Sequence, residues 1–182
     1  IYQAFRAGVS VQEINELTQI NPWFLEQLSD LCLFEKELAK GSSKELSKGL
    51  SKELLLRAKR KGFSDALIGR LCRTFSEDVL AQREAYGLFP KFQQVDTCAG
   101  EFASSTPYFY STYWYQSLEK NEFIEDGVCK EGPIAVIGSG SNRIGQGIEF
   151  DYSCVRGVKA LQRMGKKVVM INSNPETVST DY

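Results

Sequence analysis

The chain has 182 residues, 42% of them hydrophobic and 25% charged, which suffices for one compact globular domain and part of a second. Its 22 basic and 23 acidic residues leave a formal charge of −1, so no electrostatic footprint points to nucleic acid or an anionic membrane as a partner. Histidine is absent, which excludes Ser-His-Asp and Cys-His nucleophilic machinery and removes the commonest metal ligand. The cysteines Cys32, Cys72, Cys98, Cys129 and Cys154 are odd in number and never form a C-x-x-C pair. They argue for small buried or half-buried thiols in a reducing compartment, not for a disulfide framework or a zinc site. No apolar run approaches the roughly 20 residues of a membrane span. The opening Ile1-Tyr2-Gln3 is neither a signal peptide nor an initiator sequence, and the chain is expected to be part of something longer.

From Ile1 to about Tyr86, apolar residues recur at helical spacing, as in Val11, Ile14 and Leu17 or Phe24, Leu25, Leu28 and Leu31. Ser10 opens an S-x-x-E capping box with Glu13. Asn21-Pro22 sets a cap and a first-turn proline ahead of the next helix, which Gly41 is expected to close. A four-residue word then repeats from Ser43 to Leu54 and puts Leu46, Leu50 and Leu54 on one stripe. A linker running into a packed helix with solvated lysines accounts for it more simply than a partner-binding helix. Lys59-Arg60-Lys61 ends at Gly62 and reads as a helix C-terminus, not a nucleic-acid patch. Ser64-Asp65 starts a helix through Leu71, and Ser76-Glu77-Asp78 another to Tyr86, before the stop at Gly87 to Pro90. This is the rhythm of a small all-α bundle.

After Pro90, Phe92, Val95, Phe102 and the run from Tyr108 to Tyr115 carry aromatic and β-branched residues with no helical period, as in extended chain. Packing of a connector against neighbouring structure explains that density better than a ligand-stacking platform. Lys120 to Pro133 reads as a solvated linker, which puts a domain boundary near Gly132 and divides the chain into 1–132 and 133–182. Ile134 to Ile137 then has the continuous apolar character of a central parallel strand buried on both faces. A helix from about Gly147 to Met164 stops at Gly165, and Lys167 to Ile171 supplies a second buried strand. The fold class is therefore α followed by α/β, with half of a doubly wound sheet at the end.

Between first strand and helix lies Gly138-Ser139-Gly140-Ser141-Asn142-Arg143-Ile144-Gly145-Gln146-Gly147, whose glycines let backbone amides approach an anion at the helix's positive end. Arg143 stands where a dinucleotide fingerprint has its third glycine, and neutral Asn172 stands where its ribose-binding acid belongs. Gln146-Gly147 likewise replaces the Lys-Ser/Thr of a P-loop. Glu149 and Asp151 fall on the first turns of the helix, where carboxylates complement its dipole, and for Asp151 that role suffices. Asn174-Pro175 turns Glu176 toward the glycine loop, so Arg143, Glu149 and Glu176 are expected to converge on one polar crevice at the carboxyl edge of the sheet.

The run G-S-G-S-N-R-I-G-Q-G-I-E-F-D-Y-S from Gly138, followed by N-S-N-P-E-T-V-S-T-D-Y from Asn172, closely resembles the opening of the second synthetase half in the large subunit of carbamoyl-phosphate synthetases. Upstream, A-F-R-A-G (Ala4 to Gly8), L-x-R-A-K-R-K-G-F-S-D (Leu55 to Asp65), Gln93 to Phe102 and Tyr110 to Tyr113 are similar to the oligomerisation domain that precedes it. The least matched stretches are Leu38 to Leu54 and Trp114 to Pro133.

The resemblance implies a helical oligomerisation domain over 1–132 and a truncated, Rossmann-like pre-ATP-grasp unit over 133–182. In that family one half phosphorylates bicarbonate and forms carbamate with ammonia, and the other phosphorylates carbamate with a second ATP. It implies ATP with Mg2+ or Mn2+ in the parent enzyme and none bound here, a glutaminase subunit or domain as partner, self-association, and a cytoplasmic setting in arginine or pyrimidine synthesis. Gly138, Gly140, Asn142, Arg143, Gly145, Gly147, Glu149, Asn174 and Glu176 become candidates for binding bicarbonate or carbamate along an internal path. The rival readings are a non-catalytic helical interaction module and, further off, a dinucleotide-binding domain.

Overall fold

The computed structural model describes residues 1–44, 49–103, 106–114, 132–138 and 147–172, with the backbone alone at 41–44 and 147–150. Two compact units result, one of Ile1–Phe92 with Ser111–Lys120 and one of Gln93–Tyr110 with Asn121–Tyr182.

The first unit opens with α1 (Tyr2–Arg6), α2 (Val11–Thr18) and α3 (Pro22–Lys44). The hydroxyl of Ser10 accepts the Glu13 amide at 3.1 Å and the Asn21 side chain accepts the Trp23 amide at 2.9 Å, so both caps form where the sequence puts them. Each such cap is worth about 1 kcal/mol. Gly41 does not close its helix, for α3 runs on to Lys44. A glycine inside a helix costs only about 1 kcal/mol against alanine, too little to end a continuing hydrogen-bond ladder.

The turn comes instead at Gly49, whose φ of +71° is left-handed and whose missing side chain leaves room for the amide of Gln82. Gln82 accepts the Leu50 amide at 3.1 Å, and the Tyr86 hydroxyl donates to the Leu50 carbonyl at 3.0 Å. Leu50 is thereby delivered into the core, and Ser51 caps α4 (Lys52–Arg60) by accepting the Leu54 amide at 3.2 Å. The repeated word is thus a connector into a packed helix at Leu50 and Leu54; its first leucine, Leu46, lies outside the described residues. Helices α5 (Asp65–Cys72) and α6 (Ser76–Ala85) complete the bundle.

Helix α3 serves two cores. Its Leu25 and Cys32 pack with Phe5 and Ile14 of the first two helices, while Phe34 and Leu38 join Leu50, Leu55, Ala58, Phe63, Ile68, Cys72, Val79 and Leu88. Leu25, Leu38, Leu55 and Ile68 are completely enclosed. Full burial stabilises each by about 1.5–3 kcal/mol.

Ion pairs tie these layers together. Arg6 forks onto the buried carboxylate of Glu35 at 2.7 and 2.9 Å. Lys59 donates to Asp65 at 2.8 Å and to the Phe63 carbonyl at 2.9 Å, and Arg83 donates to the other Asp65 oxygen at 3.2 Å and to the Leu88 carbonyl at 2.9 Å. Lys59 therefore does more than complement a helix end: it joins α4 to the start of α5.

β1 (Lys91–Gln94) and β2 (Phe109–Thr112) form a two-stranded sheet, in keeping with the extended character of this stretch. Beyond β2 the aromatics pack on the bundle: the Lys59 ammonium lies 5.4 Å over the Tyr113 ring and the Arg60 guanidinium 5.2 Å over Trp114. At these two positions the aromatic run is a packed connector.

In the second unit, β3 (Ile134–Ile137) runs parallel to β4 (Val168–Ile171) in the register Ile134 to Val168 through Ile137 to Ile171, joined through α7 (Gly147–Arg163). Gly165, at φ +73°, stops the helix while Lys166 donates back to the Leu161 carbonyl at 3.1 Å. The strands are not buried on both faces as their composition led one to expect. Ile137 is 79% exposed and Ile171 54%, because among the described residues this sheet has two strands and one helix, which can cover only one of its two faces.

Candidate functional site

The carboxyl ends of β3 and β4 meet at Gly138 and Asn172. The Gly138 amide donates to the Ile171 carbonyl at 2.7 Å, extending the parallel ladder one residue past the strand. A side chain at Gly138 would stand 3.0 Å from Cγ and 3.2 Å from Nδ2 of Asn172, and 3.2 Å from the Ile171 carbonyl oxygen. Gly138 therefore needs to be glycine for a reason beyond anion approach: the Asn172 carboxamide already occupies the space.

That carboxamide is held from the helix. Its Nδ2 donates to Asp151 Oδ1 at 2.9 Å, and Asp151, in the second turn of α7, is completely buried. Complementing the helix dipole does not by itself call for burial, since a dipole acts on exposed first-turn acids too. A buried carboxylate persists only where donors face it. The neutral amide at Asn172 is one of them, so the residue that argued against a nicotinamide site in the sequence has a positive role in the structure. An acid there would set two carboxylates against each other.

Of the expected site residues, Gly138 is placed at this strand edge, and the backbone of Gly147 and Glu149 lies in the opening turn of α7. Gly140, Asn142, Arg143, Gly145, Asn174 and Glu176 lie outside the described residues. Asp151 and Asn172 are the strand-edge residues whose partnership was missed. Their signal was available in principle, as an acid one turn into the helix and an amide at the end of the second strand, but burial is what gives it meaning.

A cavity of about 510 Å3 lies on the helical unit, lined by Gln27, Asp30, Leu31, Arg57, Arg60, Lys61 and Trp114. Its cations are engaged: Arg57 forks onto Glu37 at 2.7 and 3.0 Å, Arg60 stacks on Trp114, and the Lys61 ammonium lies 5.6 Å over Phe34. Elsewhere in the unit, burial beside Glu35 pushes the Tyr2 phenol up to about 12, and burial raises that of Tyr113. No helix among the described residues is long and apolar enough to cross a membrane.

A helical bundle followed in the chain by a parallel β-α-β unit defines the class as mixed α and α/β. Residues 1–87 match the family described as carbamoyl-phosphate synthetase large chain, oligomerisation domain, and residues 130–182 the one described as carbamoyl phosphate synthase preATP-grasp domain. Over all 182 residues the chain is 47% identical to the carbamoyl phosphate synthase large chain of Pseudothermotoga lettingae, 45% to that of Methanothrix thermoacetophila and 47% to that of Halomonas eurihalina. The chain belongs to the carbamoyl-phosphate synthase large-chain family, and it spans 15–16% of the length of these relatives.

Proposed function

We propose that this chain is the junction between the two synthetase halves of an ATP-dependent ligase that makes carbamoyl phosphate from bicarbonate, ammonia and two ATP. Residues 1–132 supply assembly contacts, and residues 133–182 open the half that phosphorylates carbamate, with the boundary near Gly132. The unit from β3 to β4 is the first Rossmann-like half of its pre-ATP-grasp subdomain, and the exposed Ile137 and Ile171 are faces that further strands and helices of that subdomain cover. The observation that carries this reading is the succession of the two family matches in one chain, in the order assembly domain then pre-ATP-grasp domain.

Backbone amides of the loop from Gly138 through Gly140, Asn142 and Gly145 to Gly147, with Arg143, hold the negative end of carbamate. Glu149, Asn174 and Glu176 orient its amino end and its protons. The described residues do not fit Mg-ATP: among them no acidic cluster is arranged to hold a metal, and Asp151, the carboxylate nearest the strand edge, is buried on Asn172. On this reading ATP with Mg2+ or Mn2+ is held by other parts of the enzyme, and ammonia comes from a glutaminase partner in the cytoplasm.

The test is a split of partial reactions in the full-length large chain carrying this segment. Arg143→Ala or Glu176→Ala is expected to lower carbamoyl-phosphate formation at least about tenfold, a loss of roughly 1.4 kcal/mol of transition-state stabilisation, while bicarbonate-dependent ATP hydrolysis by the first half stays within about twofold. Equal loss of both activities, or of neither, overturns the assignment. A purely non-catalytic assembly role is favoured by one observation, the exposed Trp23 and Phe24 whose rings meet edge to face at 5.0 Å on the helical unit. It is compatible with the main reading, and self-association measured by light scattering reports on it.

A further inference from the structure

We propose that Asp151 is a positioning residue: its buried carboxylate fixes the Asn172 carboxamide over Gly138 and so sets the geometry of the strand edge from which both the glycine loop and the Asn174-Glu176 segment depart. The inference rests on the carbamate reading of that edge.

Three observations carry it. Asp151 is completely enclosed, whereas the next residue of the helix, Tyr152, is 46% exposed, so the carboxylate is turned inward and not left to solvent. Asn172 Nδ2 lies 2.9 Å from Asp151 Oδ1, and a carboxylate is acceptor-only, which fixes the amide's orientation with its nitrogen toward the helix. The same carboxamide fills the volume that a side chain at Gly138 would take, while the Gly138 amide is bonded to the Ile171 carbonyl at 2.7 Å. One polar contact thereby joins α7 to the ends of both strands, at the points where the chain leaves them for the residues expected to hold the anion. A side chain that orients a neighbour in this way is worth more to a reaction than to stability, because reacting groups tolerate little misplacement.

The experiment uses the full-length large chain with three variants: Asn172→Asp, the exchange Asp151→Asn with Asn172→Asp, and Glu176→Ala as a reference. Asn172→Asp sets two carboxylates at hydrogen-bond distance, and one proton shared between them restores a donor. Carbamoyl-phosphate formation is expected to fall at least tenfold at pH 8 and to recover relative to wild type as pH falls toward 6.5, with bicarbonate-dependent ATP hydrolysis unchanged. The exchange puts donor and acceptor back at opposite ends, and its rate is expected within about threefold of wild type with the wild-type pH profile.

A purely structural contact would move the thermal midpoint without a new pH limb in the rate. Wild-type rates in Asn172→Asp, or an exchange variant that folds yet remains as slow as Asn172→Asp, overturn the proposal while a slow Glu176→Ala leaves the carbamate reading standing. Should Asn172→Asp fail to fold, the exchange variant alone decides by its rate and pH profile. Glu176→Ala at the wild-type rate overturns the carbamate reading and this proposal with it.

Discussion

Gly138 and Gly157 sit in the same β-α-β unit and should respond to alanine with opposite signs. At Gly138 the new methyl meets Asn172 Cγ at 3.0 Å and the Ile171 carbonyl oxygen at 3.2 Å. Neither yields easily, since one belongs to backbone and the other is bonded to Asp151. Overpacking of this kind costs about 1–3 kcal/mol. At Gly157, within α7, nothing lies within 4 Å of the position, so alanine gains about 0.8–1 kcal/mol of helix propensity. Both tryptophans, Trp23 and Trp114, belong to the first unit, so tryptophan fluorescence does not follow this one.

Amide hydrogen exchange in α7 and β4 does. Under conditions where exchange tracks opening free energy, Gly138→Ala is expected to speed it by roughly 5- to 150-fold and Gly157→Ala to slow it by about four- to fivefold. Unchanged or increased protection in Gly138→Ala would refute the tight-edge geometry.

Replacing Arg6 by Met should lower the urea midpoint of the helical unit, followed by tryptophan fluorescence, because the buried Glu35 loses both its bidentate bonds; the half-exposed position of Arg6 lets water limit the loss below that of a fully buried pair. Tyr2 should titrate near 12, above the usual range near 10. A phenol whose folded value is raised contributes stability that is complete below the unfolded value and is lost as pH rises through the folded one, so the contribution fades between about 10 and 12. The phenolate absorbance of wild type minus that of Tyr2→Phe isolates this step, and a difference step near 10 in the folded protein contradicts the burial argument.

Local grammar made much of the fold legible. Ser10, Asn21 and Ser64 mark helix starts in the sequence, and the side chains of all three accept an amide of the helix that follows. Gly41 misled because glycine is also tolerated inside helices, whereas the true turn at Gly49 depends on Gln82, 33 positions away in sequence, to fill its side. The apolar strand Ile134 to Ile137 was correctly read as a strand, but its burial depends on how many layers cover it, which four residues cannot encode. At the candidate site the sequence pointed to the glycine loop and to charged residues by type. The Asp151 to Asn172 contact was hidden because both residues had adequate local explanations, and only the crossing of helix and strand end turns them toward each other.

The central claim is that this chain assembles and helps guide carbamate while ATP is hydrolysed elsewhere. The most direct measurement is phosphate release by the purified 182-residue chain with Mg-ATP, with and without bicarbonate. No bicarbonate-dependent release above the buffer rate is expected. A bicarbonate-stimulated turnover that persists through purification would contradict the account.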